Sequence, residues 1–510
     1  MEIQNKKDTP RGKGFLMSRG ATTALIILSV MVLNVIFTLL TESFGLYLYK
    51  AEYTEDYTVT GMTDEILASA EGKTVDIIFC MPEDELENHT TGRFVLETAK
   101  QYDEKYGFIN LTFVNTFTRL DQDNNRVDLE KYKTDMEGNE TGIAKTSVVF
   151  ASGENYRVLT NVYNGTGFVD FFTFDSSGYI ASYNGETVLA SMISWVLADE
   201  HRTAYLTKNH GELSDATFGT LLAAAGYTVK SINLQDEDVP MDASLVIISN
   251  PKNDFERGAS AEVRTEIERL TSYVSRGGSL YVTLDPYVNK LPNLEEFIND
   301  FGISFAESNV GGADLRNIVR DTRNAITTDG YTILAEYAEG NIPDAVSANV
   351  KKYNDGGIIL REASALNLGD VKSGYTGEAQ PLLVSTAASV CEVGGQVVDD
   401  GGRYCIGAVS TVTGENGNTA RIFVMPSVYI TASDALISNS YANRDFLYSL
   451  FEEFYGAENM PYGCNSVTYV SDDLKNLTMG TARTYTAVLL AIPVILAAIG
   501  TAVIIRRKNR

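Results

Sequence analysis

The chain reads as an α/β protein held between two membrane-spanning helices, and three observations predict it. Apolar segments at 21–41 and 485–505 stand near the two ends of the chain, each with a basic cluster on its outer side. Between them, short apolar runs such as Leu245-Val246-Ile247-Ile248 alternate with stretches whose apolar residues recur every three to four positions. These are the patterns of strands covered on both faces and of helices with one buried face. Glycines also follow several of the helical stripes, at Gly226 and at Gly277-Gly278, where a left-handed residue closes a helix.

At 510 residues and 44% hydrophobic content the chain has length for about three ordinary domains and material for real cores. Its formal charge of −26 argues against nucleic acid as a partner, which calls for a basic surface. Basic residues gather instead at the ends: Lys6, Lys7, Arg11, Lys13 and Arg19 in 1–20, and Arg506, Arg507, Lys508 and Arg510 in 506–510. About 20 apolar residues cross about 30 Å of hydrocarbon, and positive flanks stay on the cytoplasmic side. The tails 1–20 and 506–510 are therefore expected in the cytoplasm, with the middle of the chain outside the cytoplasmic membrane. A cleaved leader would have a shorter apolar run of about 7–15 residues, and Thr41-Glu42-Ser43-Phe44-Gly45-Leu46 offers no small-x-small cleavage site. A lipid-anchor signal would stay apolar to its end, whereas this chain finishes Arg-Arg-Lys-Asn-Arg.

Taken in order, a first domain at 43–182 opens with a polar and aromatic stalk to about residue 73. Thr74–Met81 reads as a strand stopped by Pro82, Thr91–Tyr106 as a helix with Val95, Ala99 and Tyr102 on one stripe, and Ile109, Leu111 and Phe113 as an alternating strand. A shorter helix is expected at 126–136, then a hairpin of 146–151 and 156–160 about Gly153-Glu154. This βαβαββ order resembles a thioredoxin-like domain. Cys80-Met81-Pro82-Glu83 stands where the redox pair would be, so the likeness is to the fold without its chemistry.

A helix at 187–198 leads into a second α/β domain, 183–458. Strands at 203–207, 244–249 and 280–284 alternate with helices at 215–225, 260–275 and 294–301. From about 303 to 418 glycines and isolated Val/Ile runs replace helical stripes, which predicts a β-rich insertion. A strand at 421–425 and a helix at 443–455 then complete the sheet begun at 203, and 459–483 reads as a linker.

His210, Glu212, Asn250 and Asp285 each follow one of the first three strands of this second domain. Open α/β sheets hold ligands at the carboxyl ends of parallel strands, so these four residues mark the expected ligand or partner cleft. They would serve equally as turn residues, with Glu212 near a helix start where the dipole favours a carboxylate. Cys391 and Cys405 flank Gly394-Gly395 and Asp399-Asp400-Gly401-Gly402, so a disulfide could close a hairpin there in an oxidising compartment. Cys80 and Cys464 read as unpaired, with a pairing across the ectodomain as the alternative. No C-x-x-C or zinc-ligand spacing occurs. Gly72-Lys73-Thr74 has the tail of a phosphate-binding loop, but Leu67 stands where its first glycine must be. With no G-x-S-x-G or G-x-G-x-x-G either, no catalytic residue, cofactor or metal ligand is assigned.

Several of these residues carry a family likeness. Gly185-Glu186, His210-Gly211-Glu212, Ser249-Asn250-Pro251-Lys252, Tyr273-Val274-Ser275-Arg276-Gly277-Gly278, Asp285-Pro286 and Leu291-Pro292-Asn293-Leu294 resemble the gliding-motility-type (GldG-like) auxiliary family of ABC transport systems. Asn439, Ser440 and Asn443 before the last helix fit as well, and the likeness spans nearly the whole chain with both anchors. The chain departs from the pattern at Asn209, where the family usually has glycine, and at Met425-Pro426-Ser427, where a Gly-Asp pair is common.

The resemblance implies a glutamine-amidotransferase-like (flavodoxin-like) second domain. It also implies a non-catalytic module anchored beside a permease and driven by a separate cytoplasmic ATPase. The loop Asn250-Pro251-Lys252-Asn253 has no Cys or Ser to act as the nucleophile of such an enzyme. An enzyme, and an extracytoplasmic binding module for an envelope polymer or sugar, are the competing classes. Glycan binding by the ectodomain alone would mark the binding module.

Overall fold

The structure, a computed structural model, describes residues 58–468 except 71, 137–139, 161–170, 175–178, 214–215, 259–263, 439, 456–459 and 465, with isolated residues between 483 and 506. The chain divides into a unit at 1–54 and a unit at 55–510, and the description that follows concerns the second. The tails 1–20 and 506–510, the apolar segment 21–41 and most of 485–505 lie outside the described residues, as does the expected linker beyond 468, apart from those isolated positions. Among the described residues no helix is long and apolar enough to cross a membrane.

The first sheet joins β1 (Val75–Phe79), β2 (Ile109–Phe113), β3 (Val148–Ser152) and β4 (Asn155–Leu159) in the order β2-β1-β3-β4. β1 and β2 are parallel and the other pairs antiparallel. The short helices α1 (Met62–Ile66) and α2 (Glu83–Glu87) precede the longer α3 (Gly92–Lys105). Alternation in β1 turns Val75, Ile77 and Phe79 towards Val95, Leu96, Ala99 and Tyr102 of α3, and sends Ile78 to the opposite face with Val149, Leu129 and Tyr132.

Two expectations change here. The stalk is part of the fold from residue 58 on, because Ile66, Leu67 and Ala70 are buried in this core. The helix expected at 126–136 is a loop with one 3-10 turn, Glu130–Lys133. Leu120 bridges to both Asn115 and Arg126, and Thr134 bridges to Glu140, so both ends of this segment are held in extended pairings that compete with an α-helix.

After β5 (Phe172–Phe174) and β6 (Ile180–Tyr183), α4 (Gly185–Leu197) is buried at every position except Ser194. A helix apolar all round must be covered all round. The remaining strands of the parallel region are β7 (Arg202–Thr207), β8 (Tyr227–Ile232), β9 (Ala243–Ser249) and β10 (Ser279–Thr283). They are linked by α5 (Ala216–Ala224), α6 (Glu266–Ser275) and α7 (Pro292–Asn299). The segment 303–418 then supplies β11 (Ile303–Phe305), β12 (Glu307–Val310), β13 (Ala313–Arg316), β14 (Ile318–Asp321), β15 (Thr332–Tyr337), α8 (Asn341–Tyr353), β16 (Ile358–Arg361) and β17 (Leu366–Leu368). It continues with β18 (Tyr375–Val384), β19 (Ser389–Val393), β20 (Gln396–Asp399) and β21 (Cys405–Gly414), and β22 (Thr419–Met425), α9 (Ser433–Ile437) and α10 (Asn443–Tyr455) follow.

Among the described residues the largest sheet has eleven strands, nine of them in the order β16-β15-β18-β21-β22-β10-β9-β7-β8, with β17 beside β21 and β11 beside β17. From β8 to β22 all neighbours are parallel, and from β22 to β16 all are antiparallel. The segment read as an insertion therefore extends the same sheet, and it contains a helix, α8, that its sparse apolar stripe did not announce. Alternate residues of β9 divide between two cores. Leu245 and Ile247 pack with α5, α8 and α10, and Val246 and Ile248 with α6 and α7.

The outer edge of β16 is closed by a side chain. Asn443, fully buried, accepts the Ile359 N–H at 2.9 Å and donates to the Ile359 carbonyl at 2.9 Å, mimicking one residue of a neighbouring strand. Beyond α10, Met460, Tyr462 and Cys464 are buried, and β23 (Val467–Thr468) pairs with β6. The first part of the expected linker is thus folded.

The disulfide expected between Cys391 and Cys405 is absent; all four cysteines are free. Gly394 and Gly395, at φ +56° and +79°, make the tight left-handed turn of a hairpin and bring Cys391 opposite Asp399. Cys405 lies in another sheet, opposite Val384, and packs against the other core. Burial pushes the Cys391 thiol up to about 12 and the Cys405 thiol to about 11.

Asn443→Ala should strand two buried backbone groups and cost about 2–4 kcal/mol, read as a lowered urea midpoint against wild type. Peptide mapping under non-reducing conditions should find Cys391 and Cys405 as free thiols.

Candidate functional site

Three adjacent parallel strands, β7, β9 and β10, end at one edge of the large sheet, and the residues that follow them are His210, Glu212, Asn250 and Asp285. The turns there are tight. Asn209, Gly211 and Asn250 have φ of +83°, +75° and +49°, values that glycine and asparagine tolerate best. Backbone bonds tie the loops together: the His210 carbonyl accepts from Lys252 N–H at 2.7 Å and Asn253 N–H at 2.9 Å, and Leu213 N–H donates to the Ser249 carbonyl at 2.8 Å.

The four residues fall into two pairs. Asn250 Oδ1 accepts the Asp285 N–H at 3.0 Å, while the Asp285 carboxylate accepts the Tyr287 N–H at 2.8 Å and caps its own turn. His210 and Glu212 form the other pair. Glu212 takes the His210 N–H at 2.8 Å through Oε2 and faces His210 Nδ1 at 3.3 Å through Oε1.

A third carboxylate, which local reading of the sequence did not single out, completes the second pair. His210 Nε2 lies 3.1 Å from Glu266 Oε2 and 3.0 Å from Oε1. Glu266 opens α6, where the helix dipole favours a negative charge, and it also accepts the Glu256 N–H at 2.8 Å. The imidazole stacks on Phe255 at 3.9 Å and 8°, and His210 is 2% exposed. Glu266 falls well inside the helix expected at 260–275, and only the structure, in which that helix begins at Glu266 behind the N-cap Thr265, places it at a helix start.

Burial by itself lowers the His210 pKa, but hydrogen bonds and charge from Glu212 and Glu266 outweigh it and raise it to about 9. Burial likewise works to raise the pKa of Glu212, and the His210 imidazole overcomes it and holds Glu212 below the usual carboxylate value. At neutral pH the arrangement is an imidazolium between carboxylates. Both ring nitrogens donate, so neither has a lone pair for proton abstraction or metal ligation. Among the described residues, no group of three or more His, Cys, Asp or Glu is arranged to hold a metal ion.

Searches against protein-family models and against curated proteins find no match. Among solved structures, the chain is similar to PurLQS from Thermotoga maritima, with 12% identity and a TM-score of 0.27 over 50% of this chain and 99% of that one. It is also similar to a ThuA-like protein from Bacteroides uniformis, with 10% identity and a TM-score of 0.28 over 51% of this chain and 95% of that one. Likeness at these scores assigns neither a fold nor a site.

Because the His210 pKa is raised in the folded state, its protonation stabilises the protein fully below the ordinary value near 6.5, and that contribution is lost as pH rises through about 9. His210→Gln should cost about 3–5 kcal/mol at pH 6. The difference from wild type in denaturation midpoint should shrink between pH 6.5 and 9.5.

Proposed function

We propose that this protein is a membrane-anchored, non-catalytic auxiliary subunit of an ABC-type transport system, with its folded region on the outer face of the cytoplasmic membrane. The observation that carries this reading is the convergence of the two ends of the folded region on the start of α4. Glu186 accepts hydrogen bonds from Thr60 N–H at 2.6 Å, Thr60 Oγ1 at 2.7 Å and Thr63 Oγ1 at 2.7 Å. From the other end of the chain, Ser466 Oγ donates to Asn184 Oδ1 at 2.6 Å, and β23 lies beside β6. Such a meeting of ends lets two flanking apolar segments enter one bilayer on short connections, and it is in this sense that it supports the reading.

The finer fold assignments belong to the same proposal. The βαβ start and antiparallel β3–β4 pair support a thioredoxin-like first domain. The parallel strands with helices on both faces support an amidotransferase-like second domain. A non-catalytic role is supported by the saturated His210 and by the Asn250-Pro251 turn, which offers no nucleophile. Work would come from a cytoplasmic ATPase acting through a multi-span permease, and the second apolar segment, with Ala491, Ala497, Ala498, Gly500 and Ala502, has the small residues that allow close helix packing.

Purification of the full chain in mild detergent, followed by mass spectrometry, should recover a permease and an ATPase in reproducible ratio. Recovery of the chain alone, together with substrate turnover by the folded region, would replace this reading with an enzymatic one.

A further inference from the structure

We infer that the groove between β4 and β8 is a peptide-binding site that takes an extended segment of a partner protein as an added strand. β4 is the last strand of the first sheet and β8 the last strand of the large one, and among the described residues no further strand pairs with either. Both line a single cavity of about 530 Å³, within the range of about 300–1,000 Å³ typical of ligand sites.

The lining shows how the cavity runs. Tyr156, Arg157 and Val158 of β4 are consecutive, as are Thr228 and Val229 of β8. Successive side chains of a strand point to opposite faces, so a cavity on one face would be lined by alternate residues. Lining by consecutive residues means that the cavity follows the strand edges. An edge presents backbone N–H and C=O groups at the strand repeat, and the ligand with matching spacing is another extended polypeptide.

Two further features fit that occupant. Gly219 lines the groove from the middle of α5, where glycine costs about 1 kcal/mol relative to alanine. A Cβ there would meet nothing within 4 Å, so no packing demand explains the glycine, and its effect is to keep the groove wide. Trp195, 4% exposed, also lines the groove, and its indole N–H has no acceptor among the described residues. A carbonyl of the inserted strand would supply one. Glu140 and Asp135 line the same space together with Arg157, whose guanidinium donates to the Tyr227 carbonyl of β8 at 3.4 Å, so the lining holds one more acidic than basic side chain and the bound segment should carry a lysine or arginine. This inference does not depend on the transport reading.

The test uses the full chain in detergent, probed with an array of nine-residue synthetic peptides varied in charge and β-propensity, and in parallel with a glycan array. Peptides that pair β-branched residues with a basic residue should bind and should slow amide exchange at 156–159 and 228–231. Gly219→Trp, which fills the groove, should weaken binding by at least about tenfold. Ala223→Lys, one helical turn further on, should do the same by charge and serves if the first variant does not fold. Absence of peptide binding, binding unchanged in both variants, protection confined to other strands, or glycan binding abolished by Gly219→Trp would each overturn the proposal.

Discussion

The buried carboxylate of Glu186 is the contact on which the arrangement of this molecule depends. At 3% exposure it has lost most of its hydration, and a polar group persists inside a protein only when hydrogen-bond partners replace the water. Thr60 and Thr63 provide them, Tyr102 donates to the Glu186 carbonyl at 2.9 Å, and the start of α4 contributes its dipole. The consequence is mechanical. The chain entering the fold is pinned to the same helix start that receives the chain leaving it, where Cys464 is buried and its thiol is held well above the usual value, chiefly by burial.

The polar groups at the carboxyl edge of the large sheet are, by contrast, spent on each other. An imidazolium between Glu212 and Glu266, stacked on Phe255, locks the loops after β7 and β9 to the start of α6. This arrangement gives a rigid rim. Among the described residues no further strand lies beside the end strands β4 and β8, whereas the opposite end strand β16 has its edge occupied by Asn443. The molecule therefore treats its two large-sheet edges differently, one plugged and one facing a groove.

Legibility in the sequence followed the range of the interaction. The helix at 443–455 and the strands ending at Thr207, Ser249 and Thr283 were readable because their apolar period lies within a few consecutive residues. The helix expected at 126–136 failed because bridges at Arg126 and Thr134 hold its two ends extended, and α8 went unseen because few of its residues are apolar and buried. The edge position of His210, Glu212, Asn250 and Asp285 could be argued from strand order, but Glu266 lies 56 residues from His210 and carries no local mark of the pairing. The cysteine pair misled for a similar reason. Nearness in sequence across a glycine-rich turn does not place two residues in the same sheet.

By itself the sequence determined where the strands and helices of strong local period form, which of their faces are apolar, and where positive charge flanks long apolar runs, because each of these is written in short windows of side-chain chemistry. Only the tertiary structure decided that β22 lies beside β10, that 303–418 extends one sheet, that His210 is saturated, and that β4 and β8 share a groove. Those outcomes depend on burying both faces of a sheet and satisfying every buried polar group at once. No window of consecutive residues contains that information.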